Sequence, residues 1–306
     1  MPANSQPRRP VPSRHKSMQP PNSQYTAEFQ PVDPTWVLKA LGVTLAVALI
    51  LAYLTMCVVF SHNQWQLVLH PSRETAQTPA SPGLNFTEVH FGVDASGEPQ
   101  LDGWWIPSDR QGAKTVLMLH GASGSMTDAL PTARILHEAH LNVFLFDYRG
   151  YGKSGGAHPS EAWMQEDAHS ALNYLRQTRE IPVHELVMYG RDLGASLALQ
   201  LCATGQIECP AMILDAPDGD LLPRVLHDTR AAVVPVSLLF KQRFPLAEPL
   251  RVAMSPKLIF TYTSSEAPLA VRDAADPKMT VELRAGDATA YLNSVERFLD
   301  EHNPKE

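Results

Sequence analysis

The sequence predicts an α/β fold: a mostly parallel, eight-stranded sheet with helices on both faces, preceded by one transmembrane helix. Three observations carry that prediction. From about residue 84 onward, short continuous apolar runs alternate with longer amphipathic ones, the pattern of strands buried on both faces. The run Ala40–Phe60 holds 21 residues without a charge. The stretch "VMYGRDLGASLALQL", from Val187, reads as an apolar strand, a glycine-flanked tip and an apolar helix.

Composition fits this outline. The 306 residues suffice for one large domain and an appendage. An apolar share of 44% and a charged share of 19% suit a packed core. The net charge of −7, with no clustered basic face, excludes nucleic acid as the expected partner. No CxxC or His-rich spacing is present, so neither a metal nor a cofactor is expected. Of three cysteines, Cys57 lies in the apolar run, and Cys202 and Cys209 suit a disulfide or two buried thiols equally well.

Residues 1–35 are rich in Pro, Gln, Ser and Asn, too poor in apolar groups to offset the entropy of ordering, which predicts a disordered tail. The transmembrane helix is expected over 36–61. At about 1.5 Å per residue its uncharged core spans roughly 30 Å, the thickness of a bilayer interior. Trp36 and Lys39 stand at its start as interfacial anchors. The long preceding segment argues against a cleaved signal peptide. Before the span lie Arg8, Arg9, Arg14, Lys16 and Lys39; after it, through residue 75, only Arg73. The positive-inside rule therefore puts the N-terminus in the cytoplasm and the large domain in the periplasm of a bacterial inner membrane, with residues 40–60 contacting the bilayer.

The domain is expected over 62–306. "FTEVHFGV" and "LDGWWIP" predict two leading strands joined by "ASGEP"; Trp104 and Trp105 alternate there, one inward and one outward. Six further strands follow in "TVLMLHG", "NVFLFDY", "LVMYG", "AMILDAP", "KLIFTYT" and "MTVELRA". Helices are expected over 126–140, 160–178, 193–204 and 288–301. The proline-containing region 218–252 breaks the rhythm and predicts a helical insertion over the pocket.

Four blocks in this order, "LDGWWIP", "VLMLHGASGS", "FDYRGYGKSGGAHPSEAW" and "YGRDLGASLALQL", together with "LVLHPSRE", resemble the membrane-anchored branch of the α/β-hydrolases, a serine aminopeptidase- and esterase-like branch. The resemblance covers roughly residues 60–300. It implies hydrolysis of esters, thioesters or amides through a serine, an acid and a histidine. The nucleophile of such a fold sits on a tight strand-to-helix turn, so its flanking residues must be glycine or very small; Gly190 and Gly194 meet that demand. Two backbone N–H donors for the oxyanion are expected from Leu193 and from Ala122, after His120 and Gly121.

The reactive positions depart from the pattern. Asp192 stands where the resemblance places serine, Asp287 where it places histidine, and Glu266 near the place of the acid, with Thr263 replacing a glycine. An aspartate nucleophile still needs a histidine to activate water. His302 falls past the last helix, and His227 lies in the insertion. Ser123, Ser125 and Ser196 lack a visible base, and His120, Arg149 and Tyr151 are expected to brace the pocket loops. Asp218 and Asp220 occupy an alternative acid place with no histidine to orient. If Asp192, Glu266 and Asp287 converge, they repel unless a cation neutralises them; otherwise Asp192 rests on the amides that would serve the oxyanion, with Arg191 and Arg284 neutralising the rest. The sequence thus favours a triad-degenerate α/β-hydrolase acting as a membrane-tethered binding module for an unknown small ligand or protein. An active hydrolase using Asp192 is the second reading, and a cation-responsive sensor the third.

Overall fold

The computed structural model describes residues 34–75, 77–93, 96–203, 209–263 and 269–302. Two compact units divide at residue 51. The helix α1, Pro34–Asn63, runs through that point and is long and apolar enough to cross a membrane, with a mean hydropathy of 2.6 over its most apolar window. Its residues 34–51 make up the described part of the first unit.

The second unit holds the sheet. Its strands are β1 (Thr87–Val93), β2 (Pro99–Ile106), β3 (Thr115–Leu119), β4 (Asn142–Asp147), β5 (Leu186–Arg191), β6 (Met212–Asp215), β7 (Lys257–Tyr262) and β8 (Lys278–Leu283). They lie side by side in the order β8-β7-β6-β5-β3-β4-β2-β1. β1 and β2 form an antiparallel hairpin, β2 meets β4 antiparallel, and every other pair is parallel. A parallel neighbour requires a crossover, and helices supply most of them.

Side chains alternate along β3, which sets the two layers of the core. Leu117 and Leu119 point into one cluster with α3 (Glu161–Asn173) and α4 (Leu193–Ala203). Val116 and Met118 point into the other with α2 (Leu130–Glu138) and the terminal helix, Ala288–His302. Period-two alternation therefore buries both faces of β3, the reason Thr115 is its sole polar residue. Trp104 and Trp105 follow the same rule, so the expectation of an outward tryptophan is corrected. Trp105 packs partly buried against the α3 layer, with the Arg179 guanidinium 4.3 Å from its ring.

The insertion folds as α5 (Leu222–Leu226), a 3-10 turn at Thr229–Ala231, α6 (Val236–Leu239) and α7 (Ala247–Val252). Between β7 and β8 the described residues include one helical turn, α8 (Leu269–Arg272); the terminal helix is α9. It runs through His302, whose ring packs 5.4 Å from that of Phe298, so His302 lies within the helix rather than past it. Cys202, in α4, is joined to Cys209 by a disulfide.

Gly194 opens α4 directly beneath the turn. A Cβ there would collide with the carbonyl oxygens of Leu119 and His120, backbone atoms of the adjacent strand end that cannot swing away. Gly194→Ala is therefore expected to lower the unfolding free energy by about 2–3 kcal/mol, as overpacking against fixed backbone does. Denaturant unfolding of the variant beside the wild type checks this.

Candidate functional site

The tip of the β5–α4 turn is Asp192, with φ of +53°. Left-handed backbone costs a non-glycine residue on the order of 1–3 kcal/mol, and it persists where the surroundings hold it. Here the hold is visible. The Asp192 amide donates to the Asp215 carbonyl at 3.0 Å, and the Asp192 carbonyl accepts from the amides of Ala195 and Asp218. The side chain is thereby lifted above the sheet edge, as the glycine-flanked tip predicts.

Asp192 Oδ2 accepts from the Ala122 amide at 3.0 Å, and the neighbouring Leu193 amide acts on the same carboxylate electrostatically. Both backbone donors that the sequence assigns to an oxyanion thus converge on a side chain of the protein itself. Burial raises the carboxyl's pKa; the Ala122 and Leu193 amides and Arg224 pull it down, and Asp218 pushes it up. The net direction is upward.

The Ala122 amide is aimed by a relay of local bonds. In a trans peptide the C=O and N–H point in opposite directions. His120 Nδ1 lies 2.9 Å from the Gly121 carbonyl, so fixing that oxygen turns the Ala122 N–H toward Asp192. This assigns the Nδ1-protonated tautomer, since a carbonyl only accepts. The Ala122 carbonyl is fixed in turn by the Tyr151 hydroxyl at 2.7 Å and the His70 amide at 2.9 Å. His70 and Pro71 run parallel to Ser123 and Gly124, and Arg73 donates to the Ser154 and Gly156 carbonyls, both at 2.6 Å. The segment after α1 therefore buttresses the loop. Gly121 must lack a side chain, because a Cβ would lie 2.9 Å from Asp192 Oδ2.

No histidine among the described residues hydrogen-bonds to Asp192. His120 Nε2 faces Asp147 Oδ1 at 3.5 Å without forming a hydrogen bond. Burial lowers the His120 pKa to about 4 and raises that of Asp147 to about 7. His227 is exposed, with Nδ1 2.7 Å from the Pro223 carbonyl.

The alternative in which three acids converge on one pocket is corrected for Asp287. Asp287 is exposed and caps α9, its Oδ1 accepting from the Ala290 amide at 3.0 Å, a role that Asp before a helix commonly takes. It lines a different cavity from Asp192. Glu266 lies outside the described residues. The cation acting on Asp192 is Arg224 rather than Arg191 or Arg284, and Arg224 is itself held by Asp218 in a bidentate pair at 2.8 and 2.9 Å. That insertion residue carried no signal in the sequence, because no local spacing ties it to the turn. Asp220 accepts from the Leu246 and Ala247 amides.

The other expectations resolve into scaffold. Ser196 is buried and donates to the Pro245 carbonyl at 2.7 Å; Ser125 caps the turn at Met126–Ala129; Ser123 is exposed. Arg149 pairs with Asp167 at 2.6 Å and Glu166 at 2.7 Å on α3, away from the turn. A Cβ on Gly190 would strike the Gly194 carbonyl. Beside Asp192 opens a cavity of about 470 Å³ that includes His120, Ser123, Asp128 and Arg191. No group of three or more His, Cys, Asp or Glu among the described residues is placed to hold a metal ion.

A model of the serine aminopeptidase (S33) hydrolases matches residues 110–304, more than half of the chain. The chain belongs to this family. Within it, the chain is 38% identical over 122 residues to the uncharacterised protein YfhR of Escherichia coli (strain K12), covering 38% of this chain and 43% of that one. To protein bem46 of Schizosaccharomyces pombe it is 32% identical over 160 residues, 50% of this chain and 52% of that one. The chain thus spans about half the length, or less, of these curated relatives. The uncharacterised Rv2307c of Mycobacterium tuberculosis is 27% identical over 86% of this chain and 96% of its own. Among solved structures, the Pyrococcus furiosus esterase Pf2001 superposes with a TM-score of 0.60 at 18% identity, over 77% of this chain and 98% of the esterase. An α/β-hydrolase from Vibrio vulnificus gives 0.54 at 20%, over 72% and 80%. At those identities the likeness shows the α/β-hydrolase fold.

The buried Asp147 gives this S33-family domain a pH signature. Its folded pKa of about 7 exceeds the ordinary 3.8, so the folded form holds the proton more tightly and loses that contribution as pH rises through this window. His120, at about 4 against 6.5, acts in the opposite sense. Asp147→Asn keeps an acceptor for the Met126 amide, which donates to Oδ1 at 2.6 Å, but cannot ionise. The stability difference, variant minus wild type, should rise between about pH 4 and pH 7 and level off above. Denaturant unfolding across that range reads it.

Proposed function

We propose that this chain is a membrane-anchored α/β-hydrolase-fold protein without hydrolytic turnover, whose retained turn and cavity bind a small ligand or a protein partner. The observation that carries this reading is the Asp192 carboxylate hydrogen-bonded to the Ala122 amide, with the Leu193 amide beside it also favouring its charged form. Oxyanion stabilisation needs donors free to meet charge as it develops. Here an anionic side chain already takes them, and an incoming oxyanion would meet like charge. With no imidazole among the described residues hydrogen-bonded to the carboxylate, a covalent aspartyl intermediate also lacks a base there to activate water.

Two features support the proposed placement. The helix α1 is long enough to span a bilayer, and the basic residues of the tail precede it. The Cys202–Cys209 disulfide suits an oxidising compartment such as the periplasm, on the far side from a cytoplasmic N-terminus.

A second reading, turnover through Asp192, draws on the strained turn at φ +53° and the adjoining cavity of about 470 Å³. Because solved neighbours include an esterase, p-nitrophenyl esters of short and long chain, with a fluorophosphonate probe, separate the readings. The full chain is expected to show no turnover above the Asp192→Ala variant and no labelling. Turnover that disappears in Asp192→Ala would establish the second reading.

A further inference from the structure

A second cavity, of about 530 Å³, lies between α2 and α9, beyond the Asp192 turn. That is within the range of small-molecule sites, roughly 300–1,000 Å³. Its walls divide by chemistry. Pro131 and Ile135 of α2 and Leu283 at the end of β8 supply apolar surface, and Tyr262 and Tyr291 supply rings. Arg191 and Arg284 bring guanidinium groups to the same space.

Neither guanidinium is engaged in a hydrogen bond or ion pair among the described residues. For Arg191 the reason is specific. The acid that acts on it most strongly, Asp215, is buried and commits its oxygens elsewhere: Oδ2 to the Tyr189 hydroxyl and Oδ1 to the Tyr262 hydroxyl, each at 2.8 Å, with Tyr291 at 3.4 Å from Oδ2. Three phenols thus shield the carboxylate that would otherwise pair with Arg191. The acid that lines the cavity among the described residues, Asp287, turns its Oδ1 to the cap of α9. Among the described residues, two planar, permanently charged forks are left without a hydrogen-bonded protein oxyanion, and such forks match carboxylate and phosphate groups.

We propose that this cavity is a binding site for a small organic oxyanion, a carboxylate or phosphate monoester on a compact apolar body. The charged head lies between Arg191 and Arg284, and the body rests against Pro131, Ile135 and Leu283. Arg191 and Ala216 line both cavities, so an occupied head group stands beside the Asp192 turn. Occupancy requires no chemistry at Asp192, so the inference holds whether or not the protein turns over esters.

The test uses the full chain in lipid nanodiscs, with phenylacetate and phenyl phosphate as water-soluble anions and phenylacetamide as the neutral isostere. Saturation-transfer NMR and calorimetry read binding. At least one anion should bind, at least about tenfold more tightly than the amide, as a charge-assisted contact demands. Which anion binds distinguishes a carboxylate ligand from a phosphate one. Arg284→Gln, an exposed and structurally lenient change, should weaken that binding about tenfold with thermal unfolding unchanged. Arg191→Gln should do the same. Equal affinity for amide and anions, no binding of either anion, or unchanged anion affinity in a folded Arg284→Gln protein would overturn the proposal.

Discussion

A carboxylate hydrogen-bonded to the Ala122 amide at a strand-to-helix turn is the constraint on which the rest of this site depends. The turn must be tight enough to lift one side chain above the sheet, so Gly190 and Gly194 admit no Cβ, and Asp192 takes a left-handed backbone. The Ala122 amide must be aimed, so His120 fixes one carbonyl of its loop while Tyr151 and His70 fix the next. Each of these elements serves equally well to hold an oxyanion. The difference lies in a single side chain that brings its own negative charge.

Electrostatically the arrangement is closed. Burial makes ionisation of Asp192 unfavourable, while the amides and the Arg224 guanidinium restore part of what burial removes. Arg224 arrives from the insertion already bound to Asp218, whose own amide donates to the Asp192 carbonyl. The insertion is thus part of the turn's charge balance. Arg191, next to the tip, belongs to a separate balance with Asp215 and three tyrosines on the opposite side of the turn.

Much of the fold was legible because both-face burial writes itself into the chain as uninterrupted apolar runs. Each of the eight strands falls within a residue or two of its run, and α3, α4 and α9 lie where amphipathic spacing places them. The Ala122 and Leu193 donors were legible too, because the position of a backbone amide follows from the turn alone. Side-chain partners were harder. Asp287 reads as a site residue by its place in the motif, yet an Asp directly before a helix also signals a cap, and the cap is what forms. The tyrosines around Asp215 come from β5, β7 and α9, and the Arg224–Asp218 pair from an insertion without periodicity. Such contacts are set by tertiary packing, which local pattern does not encode.

The occupied amides are the central claim, and they are directly observable. With ¹⁵N-alanine and ¹⁵N-leucine labels in the full chain, the Ala122 N–H resonance reports the hydrogen bond to Asp192, and the Leu193 N–H resonance the charge beside it. Both should lie downfield and shift together with pH, sharing one inflection above the ordinary carboxylate range, and both should move upfield in Asp192→Ala. Resonances that ignore pH and stay in place when the carboxylate is removed would contradict the account.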